Sequence, residues 1–275
     1  MSPRPVLISV PGTGEPGTGN GFPNGMLWGT ADELKRITAG GFDYWTVDYP
    51  KTYGNPTSYA DSRAAGEAAT HKLLERAARE GRRAYIVGYS QGAVIAGNAA
   101  LRYRSNGVLG GVYLLADALR PEGADSSGEG SAWARGNLNG SGVAGRRPIP
   151  GRAYPVRWYT VRGDVIADAY SDSLVRTVAD LTEFMGFRSL ADMQRWATTV
   201  AQRIRDRAWQ NLAVWQRWLA NPLALGWMPE LVARSIQEVT GYPRIHTSYG
   251  AARFPGQNRS YVQQIAWDIR TDHTR

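Results

Sequence analysis

Cysteine is absent from this 275-residue chain. Disulfides, thiolate nucleophiles and cysteine-built metal sites are therefore excluded. Histidine is nearly as scarce: the three copies are His71, His246 and His273, so chemistry that needs an imidazole base has three candidates. Lysine occurs only as Lys35, Lys51 and Lys72, and the net charge of +8 comes almost wholly from arginine. Those arginines are scattered, with no run of five or six, and we read them as compositional and not as a nucleic-acid-binding tract. No window holds 18 uninterrupted apolar residues, so no transmembrane helix is expected. The N-terminus has no apolar signal core with a small-residue cleavage site. The chain is expected to stay in the cytoplasm that makes it until something releases it.

The hydrophobic content of 43% and charged content of 20% are ordinary for a globular protein, and the length suits one large α/β domain with an insertion. "PVLISV" (Pro5 to Val10), "GFDYWTVDYP" (Gly41 to Pro50), "RAYIV" (Arg83 to Val87), "GVLGGVYLLAD" (Gly107 to Asp117) and "YPVRWYTV" (Tyr154 to Val161) read as five buried strands. Helical patterns fall between them, at Ala31 to Thr38, at Ser58 to Glu80 with Gly81 as a stop, and in "AVIAGNAALRY". Alternating strands and helices predict a mostly parallel sheet with helices on both faces. Two stretches break the rhythm. Pro121 to Arg152 is a long Gly/Ser/Asn/Pro segment, of a length that in a compact domain usually carries function or moves. Ser171 to Val239 is helical in pattern throughout, with Ser189 as an N-cap and Trp196, Val200 and Ile204 on one face. Its Trp196, Trp209, Trp215, Trp218 and Trp227 are expected to form a subdomain core, with a substrate-facing surface as the alternative.

Between a β-branched strand and a small-residue helix stands Gly88-Tyr89-Ser90-Gln91-Gly92, a G-x-S-x-G. That context is what a nucleophile elbow requires: a sharp strand-to-helix turn in which the glycines avoid backbone collisions and the serine is strained and exposed. A serine needs a base, and the base needs an orienting acid. In an α/β-hydrolase the chain order is Ser, acid, His. His71 precedes the serine, and His273 lies in a tail expected to fray. His246, in "GYPRIHTSYG", follows a proline break, is predicted in a loop, and remains as the base. For the acid, Asp164 after "YTVRG" ranks first, with Asp168 and Asp117 as alternatives whose ordinary roles would be helix caps or surface charge. Gln91 N–H, next after the serine, and Thr13, in the glycine-rich loop after the first strand, are the expected oxyanion donors. The spacing of Gly12, Gly14 and Gly17 also fits a dinucleotide loop, but no helix follows and no G-K-[ST] is present.

Taken in order, "ISVPGTGEP", "IVGYSQGA", "YTVRGD" and "IHTSYG" resemble the lysin B enzymes of phages that infect mycolic-acid bacteria, cutinase-like members of the α/β-hydrolases. The resemblance implies a cutinase-like α/β-hydrolase core (1–170 and 241–275) with a helical linker insertion (171–240) between the catalytic aspartate and histidine. It implies Ser90 as nucleophile, Asp164 as acid, His246 as base and Thr13 and Gln91 at the oxyanion hole, with no cofactor and no metal. The implied activity is hydrolysis of the ester joining mycolic acids to arabinogalactan, at the cell envelope after release by lysis. Pro11, where some relatives carry histidine, departs from the pattern. With strand one beginning at Pro5, no N-terminal peptidoglycan-binding module is expected. A general lipase or cutinase-like carboxylesterase is the other reading.

Overall fold

A computed structural model describes residues 3–16, 21–105, 107–183 and 228–275, with positions 198, 199, 202, 206 and 210 between the last two blocks. Five strands, β1 (Val6–Val10), β2 (Asp43–Thr46), β3 (Ala84–Tyr89), β4 (Leu109–Leu115) and β5 (Val156–Tyr159), form one sheet in the order β2-β1-β3-β4-β5. Every strand pair is parallel. The described helices are α1 (Trp28–Ile37), α2 (Tyr59–Arg79), α3 (Gln91–Arg102), α4 (Ala132–Asn137), α5 (Val175–Thr182), α6 (Met228–His246) and α7 (Tyr261–His273).

The strand pleat divides the core. Val6, Ile8 and Val10 point to one face, where they join Leu74 and Ala77 of α2 and Ala93, Ala96 and Ala100 of α3. Leu7, Tyr85 and Val87 point to the other, against Leu34 of α1 and Ile265 and Ile269 of α7. Sequence signals set the helix ends. The Ser58 side chain accepts from Asp61 N–H at the start of α2, and Gly81, at φ +63, follows its end. Ser260 and Gln263 form a capping box on α7.

The expected doubly wound parallel sheet is borne out. Because the chain leaves β1 toward one edge and β3 toward the other, the loops after those two strands separate and open a crevice at the strand C-termini. Ser90 stands on that edge.

Within 171–240, α5 and the first part of α6 are described; Ser189, Val200, Ile204 and the five tryptophans lie outside the described residues. Both described ends of this segment are tied to the core. The buried Arg176 guanidinium donates to the carbonyls of Gly142, Ser141, Ala169 and Tyr170. The Glu238 carboxylate accepts from Ser173 Oγ and Tyr170 N–H.

The C-terminal tail does not fray as expected. It forms α7, and the Asp272 carboxylate accepts from the Tyr113 hydroxyl (2.9 Å) and from Arg157 Nε and Nη2 (2.9 and 2.7 Å). That carboxylate fixes the helix to β4 and β5 and raises the Arg157 guanidinium further above its usual range. Asp272→Ala leaves the half-buried guanidinium and a buried tyrosine hydroxyl unpaired, so the expected loss is about 3–5 kcal/mol. A urea midpoint shift measures it, and an unchanged midpoint would mean that the tail is not anchored by this carboxylate.

Candidate active site

Ser90 joins β3 to α3 at φ 55, ψ −118, a region that non-glycine residues avoid. Contacts on every side enforce it. A Cβ on Gly88 would lie 2.3 Å from Gly92 O, and one on Gly92 would lie 2.0 Å from Val10 O and 2.5 Å from Pro11 O. Only hydrogen fits at either position, so α3 packs backbone-to-backbone on the ends of β1 and β3. Ser90 N–H donates to Leu115 O at 2.9 Å, while Ser90 O accepts from Ala93 N–H at 2.9 Å.

Ser90 Oγ lies 3.0 Å from His246 Nε2. His246 Nδ1 lies 3.0 and 3.1 Å from the two oxygens of Asp164. Asp164 is fully buried, and its Oδ1 also accepts from Ile166 N–H at 3.1 Å. Its Oδ2 accepts from the Tyr249 hydroxyl at 2.6 Å. Burial and the neighbouring carboxylate hold that phenol far above its usual pKa, so it remains a donor.

The imidazole is held by aromatic rings as well as by its nitrogens. Tyr89 stacks on it at 5.1 Å (25°) and Tyr242 at 5.0 Å (28°), while Tyr249 meets it edge-on at 6.5 Å. The Tyr89 hydroxyl donates to His246 O at 2.7 Å.

His246 is the last residue of α6 and does not sit in a loop. Pro243 reads as a break in the sequence, but it lies inside the helix. Its missing N–H costs one bond near the end of α6, and Thr247 N–H continues the ladder to Pro243 O at 3.3 Å.

The other histidines are elsewhere. His71, within α2, meets Tyr103 at the far end of α3. His273 pairs with Tyr85 at the N-terminal end of β3 (3.1 Å between Nδ1 and the hydroxyl). The other carboxylates are engaged in structure. Asp117 accepts from Leu119 N–H, Trp158 Nε1 and Arg147. Asp168 accepts from Asn139, Gly140 and Gly163 N–H and faces the fully buried Arg120 at 3.3 Å.

Thr13 and Gln91 also come together beside Ser90. The Thr13 hydroxyl donates to Gln91 Oε1 at 3.2 Å, and the Gln91 side-chain amide reaches Thr52 O and Tyr59 O at 3.4 Å. Gly12, Gly14 and Glu15 spend their N–H groups within the fold. Among the described residues, no acceptor meets the N–H groups of Thr13 and Gln91.

Sequence reasoning missed Glu15, whose carboxylate accepts from Gly12 N–H (2.8 Å) and Met26 N–H (2.6 Å) and so pins the loop. Burial raises its carboxyl, partly offset by those donors. It also missed Tyr89, Tyr242 and Tyr249. The only signal for any of them was a charged residue inside a glycine-rich loop.

A cavity of about 520 Å³ opens beside Ser90. Its described wall is largely aliphatic, with Val94, Leu119, Val143, Val165, Ile166, Val175 and Val239, while Tyr53, Tyr59 and Tyr242 stand nearby. A wider depression of about 960 Å³ on the α1–α7 face holds none of the site residues. Among the described residues, no group of three or more His, Asp or Glu could hold a metal ion.

The chain matches the model of the alpha/beta hydrolase family over residues 7–250 and belongs to that family. Among solved structures it is similar to a cutinase-like protein from Cryptococcus sp., at 22% identity and TM-score 0.44, with 77% of this chain and 91% of that one covered. It is also similar to an acetylxylan esterase, at 18% identity and TM-score 0.47, with 74% and 99% covered. No curated protein sequence matches.

The elbow's steric account is directly testable. Gly92→Ala forces α3 away from β1, and the expected cost is about 3 kcal/mol or more, read as a shift in the urea midpoint. Gly107→Ala is the control, since a Cβ there meets nothing within 4 Å. Equal, small effects would show that the close approach at Gly92 is not enforced.

Proposed function

We propose that this chain is a serine esterase of the lysin B type, hydrolysing the ester between mycolic acids and arabinogalactan in the envelope of mycolic-acid bacteria during phage lysis. The observation that carries the catalytic part is the unbroken relay from Ser90 Oγ through His246 to Asp164, with both steps at 3.0 Å. The aliphatic cavity beside Ser90 supports a long acyl chain, each buried CH₂ being worth about 0.8 kcal/mol. The choice of a mycolyl ester rests on the quoted motifs and on the segment 171–240 between acid and base, helical in sequence pattern, which we propose as a linker subdomain over the catalytic edge.

In this reading the Ser90 hydroxyl oxygen attacks the ester carbonyl while His246 Nε2 takes its proton. The negative charge that develops on the carbonyl oxygen is met by the N–H groups of Thr13 and Gln91, with the N-terminus of α3 behind them. When the tetrahedral intermediate collapses, the bond to the sugar oxygen breaks and imidazolium His246 protonates that oxygen. Water, activated by the same imidazole, then attacks the acyl-Ser90 ester and releases the free acid. Asp164 fixes the tautomer with Nδ1–H facing it and stabilises the imidazolium. The Tyr249 hydroxyl holds Asp164 in that orientation.

Purified protein incubated with mycolyl-arabinogalactan is expected to release free mycolic acid, measured by extraction and chromatography against a Ser90→Ala blank. Turnover of p-nitrophenyl butyrate without release from the wall would replace this reading with that of a general cutinase-like carboxylesterase.

Replacement of Ser90 or His246 by Ala is expected to lower kcat by about 10⁴-fold or more, and Asp164→Asn by about 10⁴-fold. His71→Ala and His273→Ala should stay within a few-fold of the parent. Retention of a tenth of the rate by Ser90→Ala would remove Ser90 from the mechanism.

Tyr249→Phe deletes one hydrogen bond to Asp164, so kcat on a small ester should fall roughly tenfold with KM unchanged. An unchanged kcat would leave Tyr249 with a packing role alone.

A further inference from the structure

The glycine-rich loop after β1 carries a carboxylate that the relay does not use. Glu15 reaches back along its own loop and across to the turn that leads into α1. Its Oε2 accepts from Gly12 N–H at 2.8 Å and its Oε1 from Met26 N–H at 2.6 Å. The space it fills exists because residue 25 has no side chain. Gly25 stands at φ +66, and a Cβ there would lie 2.4 Å from Glu15 Oε1.

Three of the N–H groups from Gly12 to Glu15 are turned into the fold. Gly12 donates to the Glu15 carboxylate, Gly14 to Lys51 O at 2.9 Å, and Glu15 to Gly12 O at 3.3 Å. Just before them the Tyr49 hydroxyl donates to Pro11 O at 2.5 Å. Thr13 N–H is the one left over, and among the described residues nothing accepts from it. Its hydroxyl meets the side chain of Gln91, the residue after the nucleophile, at 3.2 Å. The direction of Thr13 N–H is therefore set by the bonds on either side of it, and Glu15 supplies the one at Gly12.

The charge state of Glu15 follows from the same geometry. Each of its oxygens accepts from one N–H, a role that a protonated oxygen fills poorly, and bonds to an ionised acceptor are the stronger kind. Burial raises this carboxyl above the usual carboxylate range, while the Met26 and Gly12 donors, with His246 and Lys51 facing it, draw it back. The phenols that face it, Tyr49 and Tyr89, are pushed up by burial and stay neutral. A carboxylate kept where burial disfavours its charge is the pattern of a working site more than of a loop staple.

We infer that Glu15, as the ion, is a positioning residue for acyl transfer: it holds the loop so that Thr13 N–H stands ready for the developing oxyanion, and its protonation releases that donor. The kinetic half of this inference rests on the esterase reading; the hold on the loop does not.

Two measurements on the full chain test the two halves. The first is hydrogen exchange, read by mass spectrometry, at the peptide that carries Gly12 to Glu15. Glu15→Gln keeps the side-chain shape, but it offers one acceptor oxygen and sets an NH₂ group against the second N–H. Exchange at that peptide should quicken about tenfold or more, the loss of one hydrogen bond to a charged group, with α3 and α7 unchanged. Unchanged exchange there would overturn the inference, whatever the activity.

The second is turnover of p-nitrophenyl butyrate. Removing one oxyanion donor outright costs about 10²–10³ in kcat, so loosening one should lower kcat roughly 10- to 100-fold in Glu15→Gln, with KM within about twofold. The pH profile separates this role from a structural one. Turnover needs both His246 and Glu15 without their protons, so kcat/KM of the parent should fall on the acid side more steeply than one proton allows. In Glu15→Gln the fall should follow one proton, that of His246. A one-proton fall in the parent, or a kcat in Glu15→Gln within about twofold of the parent, would overturn the role in catalysis. A parent with no turnover, in which Glu15→Gln still quickens exchange of the loop, would overturn the esterase reading and uphold the hold on the loop.

Discussion

Two glycines and a serine make the one contact on which the site depends. With no side chain at Gly88 or Gly92, α3 approaches until its backbone rests on Val10 and Pro11, and Ser90 is forced to φ 55. Such a conformation costs of order 1–3 kcal/mol, and the packing that enforces it is the same packing that binds β1, β3 and α3 into one body. Ser90 N–H is fixed to Leu115 O on the neighbouring strand. The strain therefore serves a position: Oγ stands above the sheet edge, with the first turn of α3 and the loop after β1 beside it.

Everything else at the site is brought to that point from afar. Asp164 arrives on the turn after β5 and His246 at the end of α6, and neither has a local reason to face Ser90. Three tyrosines supply it. Tyr89, inside the elbow, stacks on the imidazole and bonds the His246 carbonyl. Tyr249, three residues past the histidine, bonds Asp164. Tyr242, one turn before it on the same helix, covers the ring and lines the cavity. Because α6 also carries Glu238, bonded to Tyr170 and Ser173, the helix that ends in His246 is tied to the chain just past Asp168.

The parallel sheet, its helices and the elbow were legible in the sequence because they depend on near neighbours. Strand pleat, helix caps at Ser58 and Ser260, and the glycines two residues either side of Ser90 all act over a few positions. The placement of Asp164 off a strand end followed from the same local logic. Contacts between residues far apart in the chain were not legible. Asp272 meets Arg157 across 115 positions, so a tail that reads as free is in fact anchored. Pro243 reads as a break, yet α6 contains it, because the tertiary contacts of Tyr242 and His246 outweigh one missing N–H. Glu15 and the three tyrosines act through groups that come near only in the folded chain.

In the proposed esterase, the fold makes Ser90 the single residue that takes the acyl group. Rapid quenching of the enzyme during turnover of a p-nitrophenyl ester, followed by peptide mass spectrometry, reads which residue carries the acyl group. One acyl mass is expected on the peptide that carries Ser90, accumulating as a burst and absent after His246→Ala. An acyl adduct on any other residue, or steady turnover with Ser90 never modified, would contradict it.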